Sequence, residues 1–190
     1  MTMDQQPIQV PIPEHIQMGQ TSEGLTLTYR WFSYYFIFYA VFCFAWDGFL
    51  VFWYSLAFTQ NAPWIMFVFP LIHLSVGVGL TYYTLAGFYN KTVVTVGMGK
   101  LSIRHTPLPW PGNRILSASD LIQLYSEERI LRTRSGSRTT FQLSAISTDN
   151  RKIKLLSGLN SPDEARFLEH KIEEQLGIRD RPVEGELPRS

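Results

Sequence analysis

The chain has 190 residues, 17 Lys and Arg against 16 Asp and Glu, a formal net charge of +1 and a hydrophobic content of 45%. That length holds one soluble domain, or a smaller one with a membrane anchor. The single cysteine, Cys43, excludes a disulfide framework or a Cys-based zinc site within one chain.

The charge total conceals a segregation. Residues 1–30 are polar, contain three prolines and have no basic residue before Arg30. A cleaved signal peptide needs a positively charged start and then an apolar run, so the first apolar helix is expected to remain as an anchor. Within this N-terminal segment, "GLTLTYR" (residues 24–30) alternates Leu25, Leu27 and Tyr29, which is the period of a strand.

Residues 31–58 then carry one charged side chain, Asp47, and residues 64–90 carry none. A bilayer core of about 30 Å takes about 20 apolar residues as a helix. Both stretches are long enough, and Asn61-Ala62-Pro63 breaks them apart. The expectation is a transmembrane hairpin over residues 31–90, with helices at 31–58 and 64–88. Its loop has no Lys or Arg, whereas sixteen of the seventeen follow Asn90 and Arg30 abuts the first helix. Positive residues stay on the cytoplasmic side. Both termini are therefore expected in the cytoplasm, with the chain integral to a membrane. The glycosylation sequon Asn90-Lys91-Thr92 then lies away from the modifying enzyme and is set aside.

Asp47 lies eleven residues back from Phe58, and His73 nine residues in from Trp64. At about 1.5 Å per residue their depths differ by only about 3 Å. Ionisable groups at such depth are costly and face a partner. Three readings follow: an Asp47–His73 hydrogen bond that locks the hairpin, docking of this polar pair to another membrane protein, or ligation of a pigment or haem metal by His73. Beyond that third reading the sequence asks for no cofactor and no metal. Fifteen aromatic residues fall between Trp31 and Phe58. Trp31 and the Trp53-Tyr54 pair fit interface belts, while Phe36, Phe38, Phe42, Phe44 and Phe49 lie deeper, against lipid or another helix. Gly77, Gly79 and Gly87 permit close helix approach, and Pro70 removes a backbone donor just before His73.

After Asn90 the period changes. "TVVTV", "KLSIRH", "IQLYSEE", "TTFQLSAI" and "KIKLLS" are short, β-branched or aromatic runs separated by Gly97-Met98-Gly99, Pro111-Gly112-Asn113, Ser135-Gly136-Ser137 and Asp149-Asn150. They predict an antiparallel meander. With "GLTLTYR" and a short strand near Arg114 to Leu116 it has about seven strands. One helix closes it. Ser161 is its N-cap, Pro162 its first residue, and Glu164 completes a Ser-x-x-Glu box. Ala165, Leu168, Ile172 and Leu176 share a face, and Gly177 suits the C-terminal cap. The fold class is therefore α+β: a two-helix transmembrane hairpin plus a cytoplasmic β domain over residues 91–178, followed by a tail at 179–190.

Strands closed by one C-terminal helix resemble the pleckstrin-homology-like (PH-like) fold of bacterial membrane proteins. Over residues 31–178 the layout resembles the photosystem I assembly factor family of cyanobacteria and chloroplasts: two membrane helices, a β domain with a Pro-Gly-Asn turn, and the "LNSPDEARFLEHKIEEQLGI" helix, with short matches at "WPGNR" and "ASDLIQLYSEE". The resemblance implies a cytoplasm- or stroma-facing assembly role without catalysis, with integral membrane-protein subunits as partners.

Residues 91–154 hold eleven Lys and Arg against four acids, and residues 155–190 hold five against eight. A basic sheet beside a bilayer suits anionic headgroups. Nucleic acid is not expected, because no aromatic motif is interleaved and the domain is tethered. Arg129, Arg132, Arg134 and Arg138 flank the Ser135-Gly136-Ser137 loop, either as a solvated hairpin tip or as a lipid or partner contact. Arg114 joins that candidate set. Trp110, in the stiff "PLPWPGN" loop, is either an interface anchor or packed back on its own sheet. Catalytic signatures are missing. "VGMGKLS" lacks the first glycine of a phosphate loop and has Leu101 where Ser or Thr is needed. The four histidines are scattered, and the sequence points to a binding protein rather than an enzyme. The alternatives to assembly are a lipid-sensing membrane adaptor and a pigment or haem carrier.

Overall fold

The structure is a computed structural model that describes Pro13, residues 16–133, 136–159 and 161–178, and Leu187. It is an α+β chain of eight strands and four α-helices among the described residues. It divides into two compact units: Met1–Tyr29 with Thr92–Arg104 and Pro111–Ser190, and Arg30–Lys91 with His105–Trp110.

The first unit is built on antiparallel sheet. β1 (Ile16–Thr21), β2 (Gly24–Arg30), β3 (Lys91–Gly97), β4 (Lys100–Thr106) and β5 (Arg114–Ser117) lie side by side in chain order. β6 (Leu121–Thr133), β7 (Gly136–Ser147) and β8 (Lys152–Leu159) form a second sheet, again in order. Alternation decides what each strand buries. Leu25 and Leu27 in β2, Val94 and Val96 in β3, and Leu101 and Ile103 in β4 all enter one core. The β3–β4 turn places Met98 at φ 50° and Gly99 at φ 70°, the two left-handed residues that a type I′ hairpin requires.

The helix α4 (Pro162–Leu176) packs chiefly on β6 and β7. Ser161 Oγ accepts the Glu164 N–H at 3.1 Å, and Gly177 at φ 68° returns its N–H to the Glu173 carbonyl. Both ends are thus capped by residues suited to the task. Ala165, Leu168 and Ile172 are buried as their spacing predicts, and Phe167 joins them. β1 had no strand period in the sequence. Only Ile16 of its six residues is buried, so register with β2 holds it rather than an apolar face. The expected tail at 179–190 lies outside the described residues except for Leu187. Its N–H donates to the Ser126 carbonyl at 2.8 Å, and its side chain packs against the core.

The second unit is a helical hairpin. α1 (Tyr35–Thr59) runs unbroken, whereas the return arm is split into α2 (Ile65–Val68) and α3 (Leu71–Tyr89). The arms Tyr35–Thr59 and Ile65–Tyr89 have 25 residues each and are long and apolar enough to cross a membrane. The first helix starts later than the sequence predicts. Trp31 is held outside it, because its N–H donates to the Asn90 carbonyl at 3.2 Å. α1 ends where Asn61 turns left-handed (φ 47°) and the Ala62 N–H reaches back to the Ala57 carbonyl at 3.1 Å. This is a Schellman stop, and Pro63 then prevents continuation.

Candidate functional site in the helical hairpin

The return arm breaks because Pro70 has no N–H to give the Met66 carbonyl four residues back. An unpaired carbonyl on an apolar helix is costly. The first arm supplies the missing donors: Trp53 Nε1 reaches the Met66 carbonyl at 3.0 Å, and the Tyr54 hydroxyl reaches the Phe67 carbonyl at 3.1 Å. The Trp53-Tyr54 pair, which the sequence suggested as a belt, is therefore tied to the break. Trp46 Nε1 adds a third cross-link, to the His73 carbonyl at 3.2 Å.

Asp47 does not pair with His73. Its Oδ2 accepts the Thr81 hydroxyl at 2.8 Å. The His73 ring stacks at 5.8 Å on Trp46 and lies 5.6 Å from Phe69, and its Nδ1 is buried without a hydrogen-bond partner. Side-chain direction separates the two residues. A side chain leans toward the N-terminus of its own helix. In an antiparallel pair those leanings are opposite, so Asp47 tilts toward Thr81 while His73 tilts toward Phe69 and the break. Gly77 makes room: a Cβ there would stand 2.8 Å from Asp47 Oδ1. Thr81 was missed in the sequence. Its signal was the four-residue step from Gly77, which puts a small residue and a hydroxyl on one face.

Nearer the β-strand end of the hairpin, Cys43 Sγ lies 3.6 Å from Thr84 Oγ1. A Cβ at Gly87 would fall 2.0 Å from the Phe36 ring, so the helices touch closely here. Beside Asp47 the two arms leave an open groove of about 630 Å³ whose lining includes Asp47, Leu50, Val51, Tyr54, Leu74, Thr81 and Leu85. The lining is apolar apart from the Asp47–Thr81 bond, the Tyr54 and Tyr82 hydroxyls and Ser55.

Trp110 packs on the hairpin rather than back on its own sheet. It stacks on Tyr82 (6.1 Å, 6°) and meets Trp31 edge-on at 5.3 Å and Tyr83 at 6.1 Å. Its loop is fastened to the hairpin. Asn90 clamps Leu108 through Nδ2 to the carbonyl at 3.0 Å and Oδ1 from the N–H at 2.8 Å, and the Tyr82 hydroxyl donates to the Pro109 carbonyl. Half-buried among rings, Trp110 braces the base of the hairpin. His105 meets the edge of Trp31 at 5.3 Å, and burial lowers its pKa from the ordinary 6.5.

The arginines do not join this site. Arg114 opens β5 and is exposed. Arg129 is exposed and 4.0 Å from Glu127, and Arg132 is exposed opposite Ser137. Arg134 lies outside the described residues, and of Arg138 only its place in β7 opposite Leu131 is described. Among the described residues no group of three His, Cys, Asp or Glu side chains could hold a metal ion. No protein-family model matches the chain, and no curated protein matches it.

Proposed function

We propose that the chain is a two-pass membrane protein with both termini in the cytoplasm and no catalytic activity, which binds integral membrane-protein subunits and stabilises them while a larger complex assembles. The observation that carries this reading is the bare hairpin. In each arm only 11% of the most apolar stretch is buried within the chain. Rings such as Phe44, 86% exposed, and side chains such as Ile72, 75% exposed, would face water in a soluble protein. Uncovered apolar surface on this scale marks a membrane or a protein interface. The polar groups meanwhile point inward: Trp53, Tyr54 and Trp46 satisfy backbone carbonyls, as spanning helices require.

Orientation rests on the basic residues after Asn90. The run β2 to β8 closed by α4 gives seven strands in two sheets and a final helix, which supports a PH-like cytoplasmic domain. The resemblance to photosystem I assembly factors makes a photosystem the complex to try first, and the thylakoid the membrane. A second reading, a lipid-sensing adaptor, is favoured by one observation: Arg114, Arg129 and Arg132 are exposed on the sheets, and exposed basic residues attract anionic headgroups. Affinity purification of the full chain from its native membrane in mild detergent separates the two. Membrane subunits recovered in fixed stoichiometry support assembly. Anionic lipid alone, with salt-sensitive vesicle binding, overturns assembly in favour of the adaptor.

A further inference from the structure

Resting on that reading, we propose that the groove beside Asp47 is the docking site for one transmembrane helix of a partner subunit, and that this helix carries a Lys or Arg at mid-membrane depth.

Asp47 stands at the midpoint of α1, twelve residues from Tyr35 and twelve from Thr59. It lines the groove, and among the described residues the Thr81 hydroxyl is its one hydrogen-bond donor. A carboxylate offers about four acceptor positions, so most of its capacity is unused. Burying a carboxyl in hydrocarbon is expensive unless a partner meets it.

The possible occupants differ in what they bring to that depth. Lipid brings acyl chains there, which have no donor. A second copy of this chain brings no Lys or Arg, since residues 31–58 and 64–90 contain none. A foreign helix with a basic residue supplies the missing charge and donors. Shape agrees. The groove follows α1 from Asp47 to Ser55 and α3 from Leu74 to Leu85, or about 12 Å and 16 Å of helix. Two to three turns of a third helix fit along such a furrow, with their ridge between two antiparallel neighbours.

The test uses the full-length protein in bicelles and single-pass polyleucine peptides that differ only in a central Lys, Leu or Glu. Binding is read by energy transfer from labelled peptide to labelled protein. The Lys peptide is expected to bind at least about threefold more tightly than the Leu peptide, the low end for one interhelical polar contact in a membrane. Asp47→Asn should abolish that preference, and Asp47→Lys should move it to the Glu peptide. Val51→Trp fills the groove from an exposed position without altering the Asp47–Thr81 bond, and should weaken the Lys peptide as well. Equal binding of the Lys and Leu peptides by the wild type overturns the proposal. So does a preference that survives Asp47→Asn, or Lys-peptide affinity that Val51→Trp leaves unchanged. Displacement of the bound peptide by the protein's own second copy would assign the groove to self-association and overturn it too. Alkaline carbonate extraction keeps the two levels apart. Release of the protein from membranes sinks the membrane reading itself, whereas retention with undiscriminated peptides sinks only the groove.

Discussion

Phe167 on α4 and Phe44 on α1 are the same side chain in opposite surroundings, 1% exposed in one and 86% in the other. The contrast runs through both units. In the β unit, Leu27, Leu101, Leu124, Leu143 and Ile172 close around a single core with α4. In the hairpin, three residues of α1, Cys43, Leu50 and Ala57, are buried, and they lie on the seam with the return arm. Seven residues separate each from the next, two turns of helix, so the seam is a narrow stripe. The first unit makes its own apolar interior. The second leaves that surface uncovered by the chain, and its two arms are joined by polar contacts from Trp46, Asp47, Trp53 and Tyr54.

The largest effect should separate the two phenylalanines. Phe167→Ala removes a ring from a closed core and is expected to cost about 3–5 kcal/mol. Phe44→Ala should cost within about 0.5 kcal/mol, as an exposed change does. Urea titration of each full-length variant in detergent, followed through the sheet signal, measures both. Similar losses would mean that the hairpin ring belongs to a core, and the contrast between the units would fail.

The next effect lies on the seam. Gly87→Ala sets a methyl against the Phe36 ring, and overpacking of this kind costs about 1–3 kcal/mol. Oxidative cross-linking of Cys43 to Thr84→Cys reports the approach, since the native side chains meet at 3.6 Å. Slower cross-linking in Gly87→Ala is expected, with recovery when Phe36→Ala is added. Unchanged cross-linking would show that the ring simply turns aside.

How much of this was readable beforehand follows from the kind of signal. The two apolar arms, the alternation of "GLTLTYR" and the capped C-terminal helix are local patterns, and local patterns are written in spacing. Ser161, Pro162 and Gly177 each announce a helix end by their own chemistry. The Asp47–Thr81 bond is not local. It depends on which way side chains lean in two opposed helices, and a count of residues from the loop carries no direction. The place of Trp110 was hidden for a similar reason. Its neighbours Trp31, Tyr82 and Tyr83 lie far off in the chain and outside the strands that flank it. Trp53 and Tyr54 looked like a membrane belt because their positions near a helix end fit one, while the carbonyls freed by Pro70 are visible only once the arms are side by side.

A smaller effect sharpens the comparison from the side of the β unit. Ser161→Ala leaves the Glu164 N–H without its side-chain acceptor, and loss of such a cap typically costs about 1 kcal/mol. The same titration should show it, and Ser161→Asp should restore most of the loss because Asp also caps. A hairpin cross-linking rate that stays at the wild-type value in both variants would keep the effect within the β unit.

The smallest effect concerns His105, which sits at the end of β4 yet groups with the hairpin residues. Its ring meets Trp31, and burial holds its pKa below the ordinary 6.5. The folded chain therefore prefers the neutral imidazole. Between the folded pKa and 6.5 the unfolded chain binds more protons than the folded one, so acid favours unfolding across that window. Stability from this group is complete above pH 6.5 and declines as the pH falls through the folded value. Urea midpoints for the full chain in detergent should be lower at pH 5.5 than at pH 7.5, and His105→Leu should flatten the difference. An equal drop in wild type and His105→Leu would assign the dependence to another group. A flat wild-type curve would mean that the imidazole gains as much from the Trp31 ring when charged as it loses by burial.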